Sequence, residues 1–162
     1  MATKDDLAQL GELIEKTSIG IITTLSTEGT LVSRPMAIKD REFDGDLWFF
    51  TEDPSHKTDE VRANPQVNVA LDSRKGWVSI SGEAEVVRDE AKIDELWDTG
   101  AEAWFTEGRT DPKVALLKVT AHSAELWAQD APTPVVLLKY ARAAIGGGRP
   151  DVGEAKTIDL TD

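Results

Sequence analysis

The chain has 162 residues, 40% apolar and 30% charged, with 30 acids against 18 Lys and Arg and a formal charge of -12. That length suits one domain with a real core, and so acidic a surface repels a phosphate backbone, which excludes general nucleic-acid binding. With no cysteine, disulfides, thiolate metal sites and thiol nucleophiles are excluded together.

Thr3 to Thr17 reads as an amphipathic helix, with Thr3 and Asp6 spaced as a capping box and Leu7, Leu10 and Ile14 on one stripe. The period then changes. Ser18 to Leu25 is apolar and β-branched, and Ser26 to Gly29 turns it into a second strand, Thr30 to Lys39. After the Asp44-Gly45 turn, Asp46 to Thr51 is a strand apolar on both faces. Asp53-Pro54-Ser55 breaks it and starts a short helix to Ala63, which Asn64-Pro65 ends.

Val67, Val69 and Leu71 alternate with polar or small residues, the pattern of a half-buried strand. Trp77 to Arg88 is a long strand in which Gly82 predicts a bulge or barrel corner. Asp89 caps a helix to about Thr99, an aromatic loop covers Ala103 to Gly108, and a last strand runs from about Val114 to Trp127. Pro132 to Ile145 reads as helix. The expected domain is residues 1–145, and 146–162 is expected to be an acidic, flexible tail. About six short strands with tight turns favour a closed or partly closed antiparallel barrel with added helices over a parallel sheet.

Chemistry is concentrated after the third strand. Ser55, His56 and Lys57 fall in the first turn of a helix, where free N–H groups and the dipole suit a phosphate. A plainer reading stands beside it: a capping serine followed by two solvated side chains. Arg34-Pro35-Met36 lies within a strand, and the proline implies an edge or a local opening. Arg34 on an apolar strand face needs a carboxylate or a ligand anion. Five tryptophans stand out; Trp48 and Trp97 read as core, while Trp104-Phe105 suits a lid or an interface. His56 and His122 are too far apart to suggest a metal site, Gly146-Gly147-Gly148 is no P-loop, and no nucleophile motif is present.

These residues, in this order, resemble the pyridoxamine 5'-phosphate oxidase-like FMN-binding split barrels, and within them the general stress protein branch. The pieces are Ser33-Arg34-Pro35-Met36, Leu47 to Thr51, Ser55-His56-Lys57 after a proline, Trp77 to Ala84, Ala103 to Gly108 before Asp111-Pro112, and Ala124 to Trp127. The match covers the chain from its first helix to about Asp130. It implies a split β-barrel and a homodimer with two FMN sites built from both subunits. By position, Arg34 and Lys57 would meet the phosphate, with Ser55 and His56 assisting. Pro35, Met36, Ala37 and Ile38 would run along the isoalloxazine, Phe50 and Thr51 would flank ring or ribityl groups, and Lys39 would lie near the pyrimidine edge. Trp77, Trp104 and Trp127 of the partner would close the pocket.

Departures narrow the activity. His56 stands where the oxidases commonly carry a second basic residue, Trp77 stands in place of a glutamine, and the C-terminal segment lacks their phosphate-holding arginine. Pyridoxamine phosphate is therefore not the expected substrate. The expected function is that of a flavin-dependent oxidoreductase acting on an unidentified small molecule. The alternative is a flavin-binding stress or sensor protein without turnover, and an F420-binding reductase ranks below both. No apolar run is long enough to span a bilayer and the N-terminus lacks a secretory pattern, so a cytoplasmic location is expected by default.

Overall fold

A computed structural model describes residues 2–39, 42–73, 75–128, 133–147 and 155–161. Helix α1 (Lys4–Glu15) begins with the capping box anticipated at Thr3 and Asp6 and buries Leu10, Leu13 and Ile14. Strands β1 (Ile19–Leu25) and β2 (Leu31–Ala37) form a hairpin, followed by β3 (Asp46–Glu52). Helix α2 (His56–Ala63) leads into a second hairpin of β4 (Gln66–Ser73) and β5 (Gly76–Val87). Two short helices, α3 (Glu90–Leu96) and α4 (Thr99–Trp104), precede β6 (Val114–Ala128), α5 (Thr133–Gly146) and β7 (Ala155–Asp159).

All pairings are antiparallel, in the order β2-β1-β4-β5-β6-β3, with β7 also on β6. This is the mainly β, split-barrel architecture expected, with seven strands in place of about six. Beyond the end of β2, the Lys39 N–H donates to the Trp48 carbonyl at 3.0 Å, which brings the two ends of the sheet together. The main core lies inside, built on Leu10, Ile14, Ile22, Leu47, Phe49 and Ile80. A second cluster under α3 and α4 joins Ile93, Ala101, Phe105, Val114 and Leu116 to Trp48, Phe50 and Trp97.

The bulge expected near Gly82 is present. Ser81 pairs with Ser123 but Gly82 with Ala121, so His122 is the extra residue, carried by β6. A Cβ on Gly82 would lie 2.1 Å from the Thr120 carbonyl oxygen, so only glycine permits the strands to approach so closely.

Three expectations need correction. The single helix after Asp89 is two, because Asp98 caps a new start by accepting from the Ala101 N–H. The aromatic loop is helical as far as Trp104 for the same reason. Part of the flexible tail is β7, whose Ile158 is 2% exposed in the core. Lys156 of β7 also pairs with Asp6 of α1, and that contact, with the Thr3 cap, holds the Asp6 carboxyl down at about 2. Residues 148–154 and 162 of the expected tail lie outside the described residues.

Asp53 ties the β3–α2 corner together. It is 5% exposed and accepts from Arg62 Nη1 and Nη2 at 2.7 and 2.8 Å and from Arg88 Nη2 at 2.7 Å. The Arg62 bonds first, and Arg88 with them, hold its carboxyl far below the ordinary aspartate range.

Two outcomes follow for stability. Ile158→Ala should cost about 2–4 kcal/mol in urea unfolding, whereas a loose tail would give no change. Asp53→Asn should cost about 1–2 kcal/mol near neutral pH by weakening the charge-assisted bonds to two half-exposed arginines. Because the folded-state pKa is depressed, that advantage is complete above about pH 4 and fades as pH falls further. The unfolding curves of the two proteins should therefore converge in acid.

Candidate functional site

The register of the β1–β2 hairpin sets Arg34 opposite Ile22 and Val32 opposite Thr24. Inward and outward residues alternate along β2, so Val32, Arg34 and Met36 turn in while Pro35 and Ala37 face out. β2 is an edge strand, as a proline within it demands. Met36 and Ile38 are buried at 8% and 4% exposure. Their side chains belong to the core, and the Ile38 N–H is already donated to the Ser18 carbonyl at 3.0 Å.

Arg34 has the carboxylate that its position calls for. Its Nη2 donates to Glu60 Oε2 at 2.9 Å and its Nη1 to Thr24 Oγ1 at 2.5 Å, while the Thr24 hydroxyl donates to the same Glu60 oxygen at 2.6 Å. Glu60 lies one turn beyond Lys57 on α2. Sequence reading missed both Glu60 and Thr24, since nothing singled out one glutamate among 30 acids.

Ser55 caps α2 by accepting from the Thr58 N–H, and the Thr58 side chain returns the bond. His56 and Lys57 occupy the first turn. His56 is exposed and Lys57 half-buried. Lys57 makes no hydrogen bond or ion pair among the described residues; burial first, and the charge of Arg34 second, lower its pKa below the usual lysine value. Two cations thus stand together beside a helix N-terminus in an acidic protein. This donor set fits a phosphate: backbone N–H groups, an unpaired ammonium and a guanidinium with spare donors.

A second group of predicted residues gathers at the far end of β2. Lys39 donates to both oxygens of Asp98 at 2.7 and 2.8 Å, and its Nζ lies 5.6 Å from the centre of the Phe50 ring. Burial pushes the Asp98 carboxyl up, but Lys39 and the Ala101 N–H outweigh it and the net direction is down. Phe50 packs edge-on to Trp97 at 5.4 Å and to Phe105 at 6.1 Å. Thr51 is buried, with its hydroxyl on the Glu52 carbonyl.

The three remaining tryptophans lie at the surface of the single chain. Trp77 and Trp127 are cross-strand neighbours on the outer sheet face, 45% and 38% exposed, and Trp104 at the end of α4 is 73% exposed. The same outer face presents Ile19 opposite Ala37 and Ile21 opposite Pro35. A cleft of about 340 Å³ lined by residues including Arg88, Asp94 and Arg109 contains none of the predicted residues. Among the described residues no helix is long and apolar enough to cross a membrane.

Comparison with known proteins bears on this arrangement. Protein bli-3 of Neurospora crassa is 32% identical over 130 residues, covering 71% of this chain and 62% of that protein's own length. Among solved structures, general stress protein 26 from Jannaschia sp. CCS1 is 27% identical, with a TM-score of 0.73 over 98% of this chain and 100% of that one. The general stress FMN/FAD binding protein of Xanthomonas citri is also 27% identical, with a TM-score of 0.69 over 80% of this chain and 93% of that one. The sequence profile of the pyridoxamine 5'-phosphate oxidase-like family matches residues 5–151. With its antiparallel split-barrel sheet and that match, the chain belongs to the pyridoxamine 5'-phosphate oxidase-like family.

Proposed function

We propose that this protein binds FMN at a site shared between two copies of itself, with the flavin phosphate on Arg34, Lys57 and the N-terminus of α2. The observation that carries the reading is Lys57, a half-buried lysine near Arg34 that has no ion-pair partner among the described residues. Burying an ammonium unpaired is costly, and an incoming phosphate removes that cost. Family membership and the FMN/FAD-binding name of the Xanthomonas citri neighbour support the same choice.

The protein's own contribution is binding and orientation. Arg34 and Lys57 fix the phosphate, Ser55 keeps the helix N-terminus intact, and His56 borders it. The edge of β2 from Pro35 to Ala37 would offer backbone groups to a planar ring. The bound flavin would supply hydride or electron acceptance, on a small molecule still to be identified.

The outer face argues for the second copy. Ile19, Ile21, Trp77 and Trp127 are each at least 38% exposed on one side of the sheet, and so many large apolar groups together mark an interaction surface. In the dimer, Trp77, Trp104 and Trp127 of one protomer would cover the flavin held by the other.

A second reading, flavin binding without turnover, is favoured by Lys39. Both of its bonds go to Asp98, so its charge is already matched and is not free to stabilise a reduced, anionic ring. Turnover of reduced nicotinamide no faster than with free FMN would select this reading.

Lys57→Ala should weaken FMN binding by at least about tenfold, through loss of a charge-assisted contact, while riboflavin affinity stays nearly unchanged in a fluorescence titration. Equal losses for both ligands would remove Lys57 from the phosphate site. Ile21→Glu should shift the protein from dimer to monomer in sedimentation velocity and reduce flavin affinity with it. A monomeric wild type that binds FMN fully would contradict the shared site.

A further inference from the structure

Glu60 is an acid in a site that is argued to receive an anion. It is 8% exposed, and a single oxygen, Oε2, takes both the Thr24 hydroxyl and the Arg34 guanidinium. With the Arg34 Nη1 bond to Thr24, the three side chains close a triangle. A guanidinium carries five N–H donors, and among the described residues these two bonds are the ones that it spends. Its orientation is therefore fixed along one edge, and the other donors remain for a ligand oxygen.

The same carboxylate sets the local charge. Arg34 acts on Lys57 as a like charge, and Glu52 and Glu60 act on it as opposite charges. The positive charge of Arg34 and Lys57 is thus opposed by carboxylates, of which Glu60 is the one held against Arg34. A site built only for tight capture of a phosphate would omit the buried carboxylate.

We propose that Glu60 is the positioning and affinity-setting residue of the phosphate site: it locks Arg34 in its ligand-ready orientation and keeps a negative charge beside the phosphate, so that the flavin nucleotide is held exchangeably. This rests on the flavin reading above. Burial pushes the Glu60 carboxyl up, but the Thr24 hydroxyl and Arg34 more than offset it, so its pKa lies below the ordinary value and the charge is present at neutral pH.

Glu60→Gln tests the charge, because the amide oxygen can still accept from Thr24 and Arg34. FMN and riboflavin are titrated by flavin fluorescence into the wild type, Glu60→Gln and Glu60→Ala, with a thermal melt of each. The Gln variant should bind FMN at least about tenfold more tightly, with riboflavin changed by less than about twofold. The Ala variant, which loses the clamp too, should bind FMN less tightly than the Gln variant. Unchanged or weaker FMN binding by Glu60→Gln overturns the charge role, as does an equal shift for both flavins. An Ala variant as tight as the Gln variant overturns the positioning role.

Wild-type salt dependence gives a check that no variant's folding can obscure. With Glu60 and Glu52 opposing Arg34 and Lys57 in a protein of charge -12, FMN binding should hold or tighten as salt rises. Marked weakening with salt would reveal a net positive site and overturn the proposal. Binding of neither flavin by the folded wild type would overturn the flavin reading beneath it, whereas binding with the wrong Glu60→Gln response overturns the role of Glu60 alone.

Discussion

The sheet depends on one close approach, that of Gly82 to the Thr120 carbonyl, where any Cβ would stand 2.1 Å from the oxygen. It marks the place where β6 carries its extra residue, His122. Before the bulge β6 pairs with β3; beyond it, β6 pairs with β7, and β5 follows along the other side throughout. A bulge increases local twist and bends its strand, so a single 15-residue strand serves both halves of the sheet. The bulged His122 also takes the Leu160 N–H on its carbonyl, which helps to seat the C-terminal segment.

With β3 fixed on the first half of β6, the corner at Asp53 aims α2 back across β1. That places Lys57 and Glu60 over the hairpin that carries Thr24 and Arg34. A chain of formal charge -12 keeps most anions at a distance, so any anion that it holds must be met by a local exception. In the proposed flavin site Arg34 and Lys57 would be that exception, and Glu60 would set its strength. The Lys39–Asp98 pair plays a comparable part at the other end of β2, where it fastens the start of α4 to the strand.

Much of this was legible in the residues. Alternation in β4, the capping box of α1, the proline that marks β2 as an edge and the glycine at the bulge each reflect a local steric or hydrogen-bonding rule, and each predicted feature is present. Legibility fell away where the cause was long-range. β7 has one inward residue, Ile158, in an acidic stretch, and only its docking on β6 and the Asp6–Lys156 pair make it a strand. Asp98 looks like any surface acid until it caps α4 and meets Lys39. Glu60 was invisible for the same reason: acids are so frequent here that partnership, not residue type, distinguishes it.

In the proposed site this chain holds the phosphate of a flavin nucleotide, and not merely its ring. Phosphorus NMR of FMN titrated with the protein addresses it directly. A site on Arg34 and Lys57 should give a saturable displacement of the phosphate signal that parallels the change in ring fluorescence. A ring that responds while the phosphate signal stays at its free position would contradict it, because the nucleotide would then be bound with its phosphate in solvent.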